Sequence, residues 1–147
     1  RIPQEGLRVI FGNDRDRLRR MYHEAWQKRR NGEPASALDV QIADIVELHP
    51  EYHPTIEGDE VAKDFLPDGG ESNPYLHMGL HLGLREQVTT DRPAGIRKIH
   101  GELAARLGDL HDAEHRMIEC LAETLWEAQR DNTAPDELRY LERLRNL

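Results

Sequence analysis

Six of the eight histidines fall into three pairs at i,i+4 spacing: His49 and His53, His77 and His81, His111 and His115. On a helix this spacing sets two imidazoles on one face about 6 Å apart, near enough to share a metal ion or line one pocket. Each pair adjoins an apolar helical stripe, so all six histidines are candidate ligands of a metal site inside a helical assembly. Carboxylates accompany them. Glu51 lies within the first motif, Glu114 between the histidines of the third, and Glu119 one turn beyond His115. These three are read as metal ligands or as proton shuttles beside the metal. Mixed imidazole and carboxylate donors suit iron, manganese or zinc, and the single Cys120 excludes a thiolate centre. Six histidines exceed the three or four ligands zinc usually takes, so either some of them orient the others or the site holds two metals.

The elements that must position these residues are all helical, and no strand pattern competes. A first helix is predicted from about Asp14 to Arg30, with Leu18, Met21, Tyr22 and Ala25 inward and Gly32 as its stop. Ser36 caps a second, whose stripe of Leu38, Ile42, Ile45 and Val46 reaches His49 just before Pro50. Pro50 and Pro54 end or kink it and so interrupt the geometry of the His49 and His53 pair. Thr55 to Ser72, with its glycines, prolines and acids, reads as a long connection with one helical turn near Glu60 to Phe65, and as a candidate lid. Asn73 and Pro74 open a third helix to about Thr90, with His77, Leu80, His81, Leu84 and Val88 inward and Gly79 and Gly83 on another face. Pro93 opens a fourth, with Ile96, Ile99, Leu103 and Leu107 inward and Gly108 as its stop. Asp109 caps a fifth to about Arg130, its stripe drawn through His111, His115, Ile118, Ala122, Leu125 and Gln129. A short last helix starts at Pro135 with Thr133 as its cap. His100 lies at the edge of the fourth stripe, and His23 on the outward, solvated side of the first helix.

Short connections make successive helices alternate in direction, so the third and fifth run parallel while the second and fourth oppose them. His77 and His81 then lie in the first turns of the third helix, His111 and His115 in those of the fifth, and His49 at the end of the second. At about 1.5 Å rise per residue these positions fall within roughly 10 Å of one end of the assembly, where the pairs are expected to converge. The dipoles at the starts of the third and fifth helices disfavour protonation and keep those rings available as ligands. The expected fold is an all-α up-and-down bundle of four core helices with one or two flanking ones. Residues 14–147 form it as a single domain behind an N-terminal arm, residues 1–13.

At 147 residues the chain can bury one core without disulfide staples. Its net charge of −8 repels phosphate backbones and anionic lipid, so neither nucleic acid nor membrane is an expected partner. Basic clusters at Arg15 to Arg20 and Lys28 to Arg30 sit beside acids and read as solvated helix faces. No apolar run approaches the roughly 20 residues of a membrane span. No signal peptide precedes the first helix, and the missing initiator Met reads as a trimmed start. A cytoplasmic protein acting on a small-molecule substrate is expected. Leu138, Leu141 and Leu144 suit a homodimer as well as the core. Cys120 reads as a small core residue, Trp26 and Trp126 as core or interface anchors, and Tyr52 and Tyr75 as pocket lining or packing.

The segments His49-Pro-Glu-Tyr-His53, Asn73-Pro-Tyr-Leu-His77-Met, Gly95-Ile-Arg97 and Ala113-Glu-His115, the last followed by Cys120-Leu-Ala-Glu123, resemble the bacterial family catalogued as domain of unknown function 1841. The resemblance runs from about Phe11 to Leu144; it implies a compact helical protein and brings no activity or catalytic residues. A fainter likeness, in pattern alone, is to helical metal-binding bundles of the DinB type and to the His-rich hemerythrins. The Glu-x-x-His pattern of di-iron carboxylate bundles is absent, and the chain has more His pairs than the DinB type, which leaves the ligand set open. The expected function is therefore binding of a divalent metal, iron favoured and either mononuclear or dinuclear, with zinc or manganese as alternatives. An iron-dependent oxidoreductase acting on a small molecule is the leading activity, and a zinc hydrolase or transferase would use the same site to activate water. A non-catalytic metal sensor or carrier and a structural adaptor, whose histidines are satisfied within the core, are the other readings.

Overall fold

The computed structural model describes residues 15–58 and 73–147, and every regular element among them is helical. In chain order these are α1 (Arg15–Asn31), α2 (Ala37–Glu47), a 3-10 turn (Pro50–Tyr52), α3 (His53–Glu57), α4 (Pro74–Thr90), α5 (Ile96–Leu107), α6 (Leu110–Asp131) and α7 (Glu137–Arg145). The fold is all-α. The expected N-terminal arm, the helical turn near Glu60 to Phe65 and most of the candidate lid lie outside the described residues. By contact the chain forms two compact units: residues 15–58 with 73–82, and residues 83–147.

In the N-terminal unit, α1 and α2 pack as a hairpin. Ser36 starts α2 with a capping box: its hydroxyl accepts from Asp39 N at 3.1 Å, and the Asp39 carboxylate accepts from Ser36 N at 3.3 Å. Lys28 donates to Asp39 at 2.9 Å and Arg29 to Asp44 at 2.7 Å, which ties the end of α1 to α2. Tyr22, Ala25 and Trp26 of α1 and Ile42, Ala43, Ile45 and Val46 of α2 make the core, joined by Ile56 of α3 and by Tyr75, Met78 and Leu82 of α4. Pro50 disfavours helical geometry at the residue before it, so the chain leaves α2 at His49 and turns through Pro50–Tyr52 into α3. α3 is tethered to α1. His23 Nδ1 donates to Ile56 O at 2.6 Å, and Trp26 Nε1 donates to the Glu57 carboxylate at 3.0 Å. His23 is thus not a solvated residue, as its place on α1 suggested, because α3 folds back over it.

Asn73 caps α4, its side-chain oxygen accepting from Tyr75 N at 2.9 Å and Leu76 N at 3.3 Å. The expected single inner stripe of this helix is too narrow: residues 78–84, Gly79 and Gly83 included, are all buried. The stretch is nearly free of polar side chains, and a helix apolar all round buries all round.

In the C-terminal unit, α5 starts at Ile96 rather than at Pro93. The Arg92–Pro93 bond is cis, and the Asp91 carboxylate caps the helix from the preceding turn, accepting from Gly95 N at 3.1 Å and Arg97 N at 3.0 Å. Gly108, at φ 70°, turns the chain between α5 and α6 in a conformation that a side chain would strain. Asp109 caps α6 by accepting from His111 N at 2.9 Å. α7 is capped by Asp136 rather than Thr133, because the helix starts at Glu137 and the Asp136 carboxylate, just before it, accepts from Arg139 N at 3.1 Å. Helices α5, α6 and α7 pack on one another. The buried stripe of α6 is Ala113, Glu114, Met117, Ile118, Leu121, Thr124, Leu125 and Ala128. That stripe is rotated from the expected one, leaving His111 and His115 on its margin and Gln129 exposed. Tyr140 donates to the Gln87 side chain at 2.7 Å inside this core. Leu141 and Leu144 are buried, whereas Leu138 is exposed. No helix among the described residues is long and apolar enough to cross a membrane.

Candidate metal centre

Three histidines meet in the N-terminal unit. His49 stands at the exit of α2, where its ring is 2% exposed. Its Nδ1 lies 2.7 Å from Ile45 O. A carbonyl can only accept, so Nδ1 carries a proton and any ligation by this ring falls to Nε2. His77 and His81 come from successive turns of α4, His81 fully buried and His77 half-buried. Their Nε2 atoms face each other at 3.2 Å. The His49 ring centroid is 5.0 Å from that of His77 and 4.7 Å from that of His81. Two imidazole nitrogens bound about 2.05 Å from one tetrahedral ion are about 3.3 Å apart, so His77 and His81 already have a chelating separation. Tyr52 stacks flat on His49 at 5.3 Å and lies 6.2 Å from His77. Burial, with the Glu51 carboxylate adding to it, pushes its phenol up, so Tyr52 is a neutral hydroxyl at physiological pH.

His53 does not join this group. The 3-10 turn breaks the i,i+4 register, its ring lies 4.6 Å from Trp26, and its Nε2 donates to Val46 O at 2.8 Å. In the C-terminal unit His111 and His115 sit in the first turns of α6, half-buried, with ring centroids 4.1 Å apart. Glu114 lies between them at 2% exposure. Arg85 grips both of its oxygens, Nε to Oε1 at 3.1 Å and Nη2 to Oε2 at 3.2 Å. Glu51 and Glu119, the other expected carboxylates, are exposed, and His100 is half-buried on α5.

The family model for domain of unknown function DUF1841 matches residues 14–146, which take in every candidate ligand. The chain belongs to that family. Neither a curated protein nor a solved structure matches it. What this DUF1841 chain does must therefore be argued from its own residues.

Arg85 was not legible as a site residue, although a signal existed. A cation one turn beyond His81 and an acid between Ala113 and the Met117 and Ile118 of the next turn are both out of place on apolar faces, and such residues are rarely buried unless paired. Tyr52, ambiguous in the sequence, proves to be a wall of the histidine cluster.

Proposed function

We propose that this protein binds divalent transition metal through imidazole nitrogen, with His49, His77 and His81 as the donor group of the N-terminal unit and His111 and His115 as a separate donor pair of the C-terminal unit. The observation that carries the reading is the 3.2 Å approach of the His77 and His81 Nε2 atoms, with the His49 ring 5.0 and 4.7 Å from theirs and anchored through Nδ1 to Ile45 O. The three clustered donors are all imidazole, which suits iron(II) and zinc and disfavours magnesium and calcium. With iron the centre supports oxidoreductase chemistry on a small molecule; with zinc it supports activation of a water. The identity of the bound metal decides between them.

Elemental analysis of the untagged protein, before and after reconstitution of metal-stripped material, tests the proposal. At least one iron or zinc per chain is expected, and its loss in the His77→Ala/His81→Ala variant. In the His111→Ala/His115→Ala variant the metal count tells whether the second group holds ligands. A wild-type chain that takes up no metal on reconstitution would leave the histidines as core residues and favour the structural adaptor.

A further inference from the structure

Arg85 stands one turn beyond His81 on α4, and Glu114 stands between His111 and His115 on α6. The two-point contact of guanidinium and carboxylate, at 3.1 and 3.2 Å, fixes direction as well as distance. Glu114 is almost wholly buried, and a buried carboxylate stays ionised only with such a partner. It lies near the N-terminal end of the buried stripe of α6, so the fork holds the first turns of that helix against the α4 turn that follows His81. These are also the turns that carry His111 and His115. With both oxygens gripped, Glu114 is held as a strut.

We propose that Arg85 and Glu114 are positioning residues for the C-terminal donor pair: their fork orients the α6 face that carries His111 and His115. The inference rests on the metal reading above. It replaces the expectation that Glu114 is itself a ligand or proton shuttle. Metal affinity depends on ligand orientation, and groups that orient ligands change it about 10- to 100-fold.

Cobalt(II) titration of metal-stripped protein, followed by its visible bands, provides the test on wild type, Arg85→Met, Glu114→Gln and the double variant. Each single variant is expected to weaken cobalt binding about 10-fold or more. The double is expected to be no weaker than the worse single, since both changes remove one interaction. The far-ultraviolet circular dichroism of the metal-free proteins should superimpose. Arg85→Met strands a buried carboxylate and is the variant most prone to unfold; Glu114→Gln and the double leave no buried charge and keep the test standing. Tighter binding in Arg85→Met with loss in Glu114→Gln would overturn the proposal, because it would mean a carboxylate ligand freed from its clamp. Unchanged affinity in the Glu114→Gln and double variants would also overturn it. Failure of the metal reading is distinguishable, since wild type would then bind no cobalt at all.

Discussion

The His49, His77 and His81 cluster is assembled from two elements around a shared core, whereas the His111 and His115 pair comes from neighbouring turns of one helix at the margin of its buried face. In the first, Ile45 O orients one ring and Tyr52 stacks on it. In the second, the neighbouring Glu114 is tied to Arg85. The difference concerns when the entropy of ordering is lost. The buried His49 and His81 rings lose it on folding and meet a metal at little further cost, while the half-buried rings, His77 in the first group and both members of the second, lose more of it on binding. The N-terminal cluster should therefore dominate affinity.

The sharpest way to break that comparison is to remove donors from each side. His77→Ala/His81→Ala is expected to abolish metal uptake, and His49→Ala to weaken it severely, both read by calorimetric titration of metal-stripped protein. His111→Ala/His115→Ala should remove less of the metal uptake than the N-terminal substitutions do; equal or greater loss from this variant would reverse the ranking.

Two buried tyrosines extend the contrast to stability. Tyr140 donates to Gln87 in the C-terminal unit, so Tyr140→Phe leaves a buried acceptor unsatisfied and should cost about 1–3 kcal/mol in urea unfolding. The Tyr22 hydroxyl, in the core of the N-terminal unit, has no hydrogen-bond partner among the described residues. Tyr22→Phe should accordingly be near neutral or stabilising by the same assay.

The smallest effects lie at the start of α2. Ser36→Ala removes a cap and should cost about 1 kcal/mol. The hydrogen bond from Lys28 holds the Asp39 carboxyl below its ordinary value of 3.8. Its contribution is present in full above that value and is lost as pH falls through the lower, folded-state value. Asp39→Asn should flatten the acid limb of a stability-against-pH curve relative to wild type.

Helix positions were legible because caps and breakers act locally: Ser36, Asn73, Gly108 and Asp109 each sit where they mark an end. The errors arose where one residue serves two neighbours. Asp91 caps α5 from the end of α4, and Thr133 belongs to the close of α6, where its amide donates to Ala128 O, while α7 starts only at Glu137 behind Asp136. At the candidate site, i,i+4 spacing found His77 with His81 and His111 with His115, since both pairs lie on unbroken helices. For His49 and His53 the spacing misled, and Pro50 marked the break that the structure shows; neither signalled that the turn would put Tyr52 against His49. Nor could periodicity find the Arg85 and Glu114 fork, which depends on how α6 is rotated against α4, a property of packing between helices.

The most direct measurement of the central claim is X-ray absorption fine structure of the metal-loaded protein at the edge of the metal it binds. The account predicts a shell dominated by nitrogen, at about 2.0–2.1 Å if the metal is zinc, with the outer-shell scattering of several imidazoles. An oxygen-only shell without imidazole scattering would contradict it and move the metal away from His49, His77 and His81.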